Sequence, residues 1–251
     1  MASKIALVTG GGRGLGRDMA LSLAKKGMDV VVTYHTKKEE TDKVVAEISQ
    51  LGQRAFALHL DVGNVSSLDG FITQLTSALK TNWNADKFDY LVNNGGHGGT
   101  VPMAQVTEED FDRFVNVHFK GVYFLTQKAL PLINDHGGVI FISSGSTRFF
   151  VPGYSVYASV KGALEVLTKY VAKEYGSRGI RANIVAPGAI ETDFNSAALR
   201  SNPERKKMIA AQSPLNRVGQ ADDIGSVVAF LCSDDAKWID GQRIEVSGGI
   251  N

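Results

Sequence analysis

Residues 5–16 read IALVTGGGRGLG, an apolar run followed directly by a turn that contains five glycines. The run predicts a buried strand, and Leu15, Met19 and Leu23, spaced four residues apart, predict a helix after the turn. A strand, a glycine turn and a helix N-terminus together bind a diphosphate, because glycine lets the backbone approach and the helix dipole attracts the anion. This stretch therefore predicts a doubly wound α/β fold that holds a dinucleotide.

The rest of the chain alternates short apolar segments with longer segments of helical periodicity. Strands are predicted at residues 5–9, 29–33, 55–60, 90–93, 139–143, 182–185 and 243–246. Helices are predicted at residues 14–26, 38–51, 65–79, 108–134, 154–175, 203–212 and 222–232. Several of these strands are apolar without alternation, which suits a seven-stranded parallel sheet with helices on both faces. We expect one Rossmann-type domain over residues 1–251, with a mobile substrate lid at about 191–212.

Composition and charge narrow the class of protein. The 251 residues carry 27 Lys and Arg against 26 Asp and Glu, for a net charge of +1. This balance gives no electrostatic support for binding nucleic acid or an anionic membrane surface, and no apolar run is long enough to span a bilayer. The single cysteine, Cys232, excludes an intramolecular disulfide, and the histidines lack metal-ligand spacing, so no metal is expected. Without an export signal, the cytoplasm is the expected compartment.

The end of the second predicted strand bears on the choice between NAD and NADP. In dinucleotide folds, a carboxylate about 20 residues after the glycine turn bonds the adenosine ribose of NAD. Here residues 34–37 read YHTK, and the first acid is Glu39. Arg13 and either Lys37 or Lys38 supply cations suited to a 2′-phosphate. The sequence therefore favours NADP(H) over NAD(H), with NAD held through backbone contacts as the alternative.

A third feature combines a strand that ends in hydroxyls with a helix. Residues 139–144 read VIFISS, and Tyr157 and Lys161 follow, four residues apart from each other. Residues at this spacing share a helix face, so the ammonium favours the phenolate and brings the pKa of Tyr157 closer to the range useful for proton transfer. Taken alone, this spacing is common by chance and favours an exposed helix pair.

Together these motifs resemble the short-chain dehydrogenase/reductase family over essentially the whole chain. Residues 9–16 are similar to its Thr-Gly-x-x-x-Gly-x-Gly turn, and residues 93–96 read NNGG where the family has Asn-Asn-Ala-Gly. Within that family, the sequence is similar in its overall pattern to 3-oxoacyl-acyl-carrier-protein reductases and related ketoreductases. The resemblance implies hydride transfer between nicotinamide and a carbonyl or secondary alcohol. A non-catalytic NADP(H)-binding sensor or scaffold remains as the alternative class.

The same resemblance implies the site residues. Tyr157 would exchange a proton with the substrate oxygen, and Ser144 would bond that oxygen. Lys161 would lower the Tyr157 pKa and bond the nicotinamide ribose, and Asn116 would anchor a water in the proton relay. The expected cofactor-binding residues are Gly10, Gly12, Arg13, Gly14, Leu15, Gly16, Tyr34, His35, Thr36, Lys37, Asp61, Val62, Asn93, Gly95, Tyr157, Lys161, Pro187, Gly188, Ile190 and Thr192.

Bulky side chains near the expected site predict an apolar or aromatic carbonyl substrate. Phe149, Phe150 and Tyr154 lie between the expected catalytic residues, His97 would project from the opposite loop, and Phe194 belongs to the expected lid. The alternative is that the two phenylalanines pack into an oligomer interface.

Two further features concern partners and flexibility. The helices predicted at 108–134 and 154–175 are apolar over more than half their circumference, which predicts a homo-oligomer, with a tetramer as the expected form. Deeper burial within the monomer is the alternative. The basic residues between 200 and 207 form either a solvated face or a docking site for an acidic carrier protein. Glycine at 95 predicts a flexible patch over residues 95–99, and residues 80–86 predict an extended helix end or a surface loop.

Overall fold

The computed structural model describes residues 3–192 and 202–250. The strands of this part are β1 (Ile5–Val8), β2 (Asp29–Tyr34), β3 (Ala55–His59), β4 (Phe88–Asn93), β5 (Ile133–Ile142), β6 (Arg181–Pro187) and β7 (Arg243–Val246). All of their pairings are parallel, in the spatial order β3-β2-β1-β4-β5-β6-β7. The predicted seven-stranded parallel sheet is confirmed. The strand order reverses between β1 and β4, which is where ligands bind in open sheets of this kind.

Helices cover both faces of the sheet, as predicted. They are α1 (Gly14–Lys25), α2 (Lys38–Gln50), α3 (Leu68–Trp83), α4 (Glu108–Val115), α5 (Gly121–Ala129), α6 (Ser155–Tyr175), α7 (Pro203–Gln212) and α8 (Ala221–Leu231). Alternate residues of β1 enter different cores, because successive strand side chains point to opposite faces. Ile5 and Leu7 pack in the core beneath α3, α5 and α6, whereas Ala6 and Val8 pack beneath α1, α2 and α8. None of the described helices is long and apolar enough to cross a membrane.

The prediction of one continuous helix over residues 108–134 is wrong in two respects. A five-residue π-helical turn, Asn116–Lys120, separates α4 from α5. The helical region then ends in a 3-10 turn, Leu130–Leu132, and β5 begins at Ile133 rather than at residue 139. Leu132 and Ile133 are apolar on the two sides of the boundary between the turn and the strand, so periodicity alone did not mark it.

Residues 80–86 form a structural anchor. Helix α3 extends to Trp83 and ends at Asn84, whose φ of 51° is left-handed. Trp83 Nε1 donates to Asp29 Oδ2 at 2.8 Å, and the Arg54 guanidinium both binds that carboxylate at 2.7 Å and lies over the indole ring. The segment therefore satisfies a buried carboxylate at the start of β2 and is an extended helix end, as one of the two interpretations predicted.

Candidate active site

The glycine turn after β1 is closed by tight backbone contacts. Gly10 has a φ of +62°, and a Cβ atom there would lie 2.9 Å from the Cα atom of Gly95. A Cβ atom at Gly16 would lie 2.2 Å from the carbonyl oxygen of Gly10. Glycine at both positions is therefore required by the packing of the turn itself, and it brings the start of α1 against the carboxyl end of the sheet.

Thr9 and Asn94 lock this turn to the loop after β4. Asn94 Nδ2 donates to the carbonyl oxygens of Thr9 at 2.9 Å and of Gly10 at 3.2 Å. Thr9 Oγ1 accepts from the amides of Asn94 at 3.0 Å and of Gly95 at 2.8 Å. The Gly95 amide is thus bound to Thr9 at the position where the sequence predicts a flexible patch, and the flexibility itself stays a prediction. Neither Thr9 nor Asn94 was predicted as a supporting residue, although both belong to the motifs that were recognised.

The residues at the end of β2 and just after it are mostly exposed, at the opening of the groove. Tyr34 is half-buried against the His59 ring, while His35, Thr36 and Lys37 are exposed. His35 Nε2 lies 3.7 Å from Asp61 Oδ2, which brings two of the predicted cofactor residues together. Arg13 is exposed at the start of α1. Lys38 pairs with Asp42 at 2.7 Å, whereas Arg13 and Lys37 make no ion pair within residues 3–192 and 202–250.

Three further predicted cofactor residues lie either beside the glycine turn or buried beneath the groove. Thr192 approaches the turn, since a Cβ atom at Gly14 would lie 3.6 Å from its Cβ atom. Asn93 and Ile190 are buried beneath the groove. Asn93 Nδ2 donates to Thr126 Oγ1 at 3.0 Å, which ties β4 to α5, and Ile190 packs in the core under α1 and α8.

Backbone contacts place the remaining residues of the predicted cofactor set. The carbonyl oxygen of Val62 lies against Gly121, where a Cβ atom would clash with it. Pro187 ends β6, and the Gly188 amide donates to the Val246 carbonyl at 3.0 Å. Gly12 lies within the glycine turn, and Leu15 lies in the first turn of α1. These backbone positions follow the carboxyl edge of the sheet.

Ser144 lies near the buried phenol of Tyr157. Ser144 precedes the 3-10 turn Gly145–Thr147, and its Oγ accepts from the Ser146 amide at 3.2 Å. Tyr157 is only 8 % exposed. Burial raises the pKa of Tyr157 well above its ordinary value, Tyr154 adds to the rise, and the nearby Ser144 hydroxyl opposes it. Tyr157 is therefore a protonated phenol at neutral pH.

Lys161 lies one helical turn after Tyr157 and is also buried. Its Nζ donates to the Ile142 carbonyl at 2.8 Å and lies 5.6 Å from the centroid of the Tyr157 ring. Burial lowers the pKa of Lys161 to about 8. The sequence predicts that Lys161 lowers the pKa of Tyr157. In the ligand-free structure the pKa of Tyr157 is raised by burial and by Tyr154 and lowered by Ser144, so an effect of Lys161 on it stays a prediction.

The hydroxyl of the neighbouring residue, Ser143, is hydrogen-bonded to Glu165. Ser143 Oγ donates to Glu165 Oε1 at 2.8 Å, and the same carboxylate oxygen accepts from Thr147 Oγ1 and Arg243 Nε, each at 2.7 Å. Burial opposes ionisation of Glu165, but these three hydrogen bonds outweigh it and lower its pKa. The network holds the turn that carries Ser144, and it leaves Ser144 as the hydroxyl beside Tyr157.

Asn116 begins the π-helical turn between α4 and α5, and its role of anchoring a water stays a prediction. Its carbonyl oxygen accepts from the Gly121 amide, and its side chain makes no hydrogen bond within the described part of the chain. His118 of the same turn lies against Tyr157, with ring centroids 5.3 Å apart. A signal was present, because His118 falls on the buried stripe between Phe114 and Val122 at spacings of four.

The predicted substrate pocket is only partly assembled. Tyr154 packs edge-on against Tyr157 at 5.4 Å, and His97 packs against His118 at 4.9 Å. Phe149 packs against Gly145, where a Cβ atom would lie 2.3 Å from its ring. Phe150 is 87 % exposed and is not turned into the site. A backbone bond of 3.0 Å from the Val101 amide to the Gly153 carbonyl joins the two loops.

Part of the predicted lid falls outside the described residues. Residues 193–201, and therefore Phe194, belong to this part. Within the described part, α7 is held to the end of the preceding segment, since Lys206 Nζ pairs with Glu191 Oε2 at 2.7 Å. Lys206 is thus not a free cation of the predicted basic run.

Residues 10–251 match a family described as enoyl-(acyl carrier protein) reductase. The short chain dehydrogenase mdpC of Emericella nidulans is 38 % identical over 259 residues, covering 99 % of this chain and 96 % of that protein. The match is full-length on both sides, so it concerns the whole fold and not a shared motif.

Two solved structures share the fold at similar identity. The promiscuous reductase LugOII, described as catalysing keto-reduction at C1 during lugdunomycin biosynthesis, superposes with a TM-score of 0.94 at 37 % identity, over 99 % of this chain and 98 % of that one. The angucycline C-6 ketoreductase LanV, solved with bound NADP, has a TM-score of 0.93 at 38 % identity, over 98 % and 95 % of the two chains.

Proposed function

This chain belongs to the short-chain dehydrogenase/reductase family, and from that premise we propose that it is an NADP(H)-dependent ketoreductase. The observation that carries the proposal is the buried Tyr157 phenol near the Ser144 hydroxyl, with Lys161 one helical turn away and its Nζ 5.6 Å from the Tyr157 ring centroid, at the carboxyl edge of the sheet. A binding module has no use for a buried phenol close to a hydroxyl, so this geometry favours an enzyme over a sensor or scaffold.

The proposed mechanism assigns one task to each side chain. Bound NADPH supplies the hydride. Ser144 donates a hydrogen bond to the carbonyl oxygen of the substrate and holds it beside Tyr157. Tyr157, protonated because burial raises its pKa, gives its proton to that oxygen. The Lys161 ammonium then stabilises the phenolate that remains.

The choice of NADPH rests on the charged residues at the opening of the groove. Arg13 and Lys37 are exposed cations without an ion pair in the described residues, and the end of β2 carries no carboxylate. A 2′-phosphate would be attracted by both side chains. LanV, which shares the fold, was solved with NADP. We therefore propose NADP(H) rather than NAD(H).

The substrate is proposed to be an apolar or aromatic ketone. Tyr154, Phe114 and the rings of two histidines line the space around Tyr157, and the relatives LugOII and LanV are a keto-reductase and an angucycline ketoreductase. The alternative is an acyl group on a carrier protein, which the description of the matched family and the exposed Arg205 and Lys207 favour. Salt-sensitive dependence on an acidic carrier would favour that alternative.

Association of the chain with itself is part of the proposal. Val166 and Tyr170 on α6 are 56 % and 61 % exposed, and Phe111 on α4 and Tyr123 on α5 are also exposed. Apolar side chains on the outer faces of these helices support a homo-oligomer, with a tetramer as the proposed form. Light scattering on the wild type and on Tyr170→Glu tests this, and a wild type that is an active monomer contradicts it.

A cytoplasmic location is also proposed, since the buried thiol of Cys232 is suited to a reducing compartment. The experiment that tests the function is oxidation of NADPH across a panel of aromatic, aliphatic and carrier-bound ketones. Turnover of free aromatic ketones supports the proposal. Turnover of carrier-bound substrates alone supports the alternative, and no turnover of any carbonyl contradicts both.

A further inference from the structure

An arginine of the last strand contacts the turn that carries Ser144. Arg243 begins β7, and its side chain is 9 % exposed. Its Nη2 donates to the Ser144 carbonyl at 3.4 Å and to Thr147 Oγ1 at 3.1 Å. Ser144 precedes the 3-10 turn and Thr147 ends it. A residue 99 positions away in the chain therefore binds this turn at both of its ends.

Glu165 binds the same turn from α6. It lies two helical turns after Tyr157, on the same face of the helix. Its Oε1 accepts from Ser143 Oγ at 2.8 Å, on one side of Ser144, and from Thr147 Oγ1 at 2.7 Å, on the other side. The helix face that carries the phenol thus also carries the carboxylate that binds the residues around Ser144.

The guanidinium of Arg243 joins these contacts into one network. Its Nε donates to Glu165 Oε1 at 2.7 Å, and its Nη1 pairs with Glu245 of the same strand. Burial opposes ionisation of Arg243, but the bonds to the two glutamates outweigh it and raise its pKa. The guanidinium is planar and has five donors, so it reaches two carboxylates and the turn at once, which an ammonium cannot do.

Stability alone is a weak reason for such a network. Charged groups lose their hydration when they are buried, and well-packed apolar residues in their place often stabilise a fold equally well. Glu245 adds to this cost, because its Oε1 is buried and has no hydrogen-bond partner in the described residues. The network does provide a defined geometry, since it binds the turn from two different elements.

We propose that Arg243 and Glu165 are positioning residues for reduction: they hold the turn after β5 so that the Ser144 hydroxyl meets the carbonyl oxygen of the substrate beside Tyr157. Neither residue is assigned a contact with the substrate or the cofactor, and both act through Ser144. The proposal rests on the proposed function, because the position of Ser144 matters to turnover only where its hydroxyl binds a carbonyl oxygen.

A double-mutant cycle tests whether Arg243 acts through Ser144. Arg243→Met keeps an apolar stem and removes every donor. We expect it to lower kcat/KM for the ketone by about 10- to 100-fold, with the NADPH dissociation constant within about threefold of the wild type. In a Ser144→Ala background, Arg243→Met should change kcat/KM by less than about threefold, because the hydroxyl that it positions is gone.

Two conservative substitutions extend the cycle. Arg243→Lys keeps a cation that can bind one carboxylate but cannot also reach the turn, so it should recover only part of kcat/KM. Glu165→Gln keeps an acceptor for the two hydroxyls and removes the charge, so its loss should be smaller, about 3- to 10-fold. Both losses should shrink in the Ser144→Ala background. If Arg243→Met does not fold, these two variants decide the same question.

Arg181 provides a matched control. It is a buried arginine of the neighbouring strand β6, and it donates to the carbonyls of Leu231 at 2.8 Å and Ser233 at 3.3 Å, away from the turn. Arg181→Met should lower the thermal midpoint and leave kcat/KM within about threefold of the wild type. A normal kcat/KM in Arg243→Met would overturn the proposal. A loss that persists undiminished in Ser144→Ala, or that Arg181→Met or NADPH binding matches, would overturn it as well.

Hydrogen exchange measures the hold on the turn without turnover. The amides of Ser146, Thr147 and Arg148 bond to acceptors within the turn. In the ligand-free protein, peptides covering residues 144–149 should exchange at least about tenfold faster in Arg243→Met than in the wild type, relative to peptides of α1, with no such change in Arg181→Met. Equal protection in Arg243→Met and the wild type would overturn the proposal. If the wild type reduces no ketone, the proposed function fails, whereas exchange still decides whether Arg243 holds the turn.

Discussion

The imidazole of His118 stands edge-on to the phenol of Tyr157, with ring centroids 5.3 Å apart and planes at 85°. Both groups are buried, the histidine is neutral, and the phenol is protonated because burial raises the pKa of Tyr157. Among the described residues packed around the phenol, this leaves the Lys161 ammonium as the charge that can act on it. The site therefore holds a protonated phenol that can act as an acid, and carbonyl reduction requires such a proton donor.

The pH dependence of reduction should follow Lys161. Its pKa is lowered to about 8 by burial, so the side chain is charged below that pH and neutral above it. The charged form stabilises the developing phenolate, and kcat/KM for ketone reduction should be constant at neutral pH and fall above about pH 8. A pH profile checks this. Lys161→Arg should shift the fall to higher pH, because arginine stays protonated, and a fall unchanged in that variant contradicts the assignment.

Replacing Lys161 should also stabilise the fold. The pKa of Lys161 is below its ordinary value of 10.5, so the unfolded chain binds more protons between the two values and wild-type stability rises with pH over that window. At pH 7 the buried charge is a net cost, and Lys161→Met should raise the free energy of unfolding by about 1–3 kcal/mol while it abolishes reduction. Urea denaturation at pH 7 measures this, and a less stable variant contradicts it.

Arg13 should determine the preference for NADPH. A charge-assisted bond to a phosphate contributes about 1.5–3 kcal/mol, so Arg13→Ala should raise the KM for NADPH by about 10- to 100-fold. The KM for NADH should change by less than about threefold, since NADH lacks the 2′-phosphate. Lys26→Ala, which removes an exposed cation at the other end of α1, is the matched control. Equal effects of Arg13→Ala on both cofactors would count against a 2′-phosphate site.

Trp83 should matter for stability and not for turnover. Trp83→Phe removes the bond to Asp29 Oδ2 and leaves that carboxylate to the Arg54 guanidinium, which binds it at 2.7 Å. The free energy of unfolding should fall by about 1 kcal/mol, with kcat and KM unchanged. Lys87→Ala, an exposed change nearby, should alter stability by less than about 0.5 kcal/mol. A change in kinetics for Trp83→Phe would show that the segment acts on the site.

The fold was predictable because its signals are local. A glycine turn between an apolar strand and a helix identifies the dinucleotide fold, and uninterrupted apolar strands identify a buried parallel sheet. The helix predicted to reach residue 134 failed for a local reason as well, since Leu132 at the end of the helical region and Ile133 at the start of β5 are both apolar. Burial of Tyr157 arises from packing between distant elements, so the direction of its pKa shift was not accessible from the spacing of Tyr157 and Lys161.

The contact between His118 and Tyr157 shows a different limit. The helical stripe through Phe114 and Val122 marks His118 as a buried residue, but its partner on α6 is known only from the structure, in which its ring lies against Tyr157. The exposure of Phe150, predicted to line the pocket, likewise depends on a loop whose direction is set by its contacts and not by composition.

The central claim is that Tyr157 protonates a ketone while NADPH supplies the hydride, and one measurement tests it most directly. Oxidation of NADPH by aromatic ketones is compared between the wild type and Tyr157→Phe, with NADPH binding measured on both proteins. We expect the substitution to lower kcat by at least about 100-fold with NADPH affinity retained. Near-normal turnover by Tyr157→Phe with the same ketones would contradict the account.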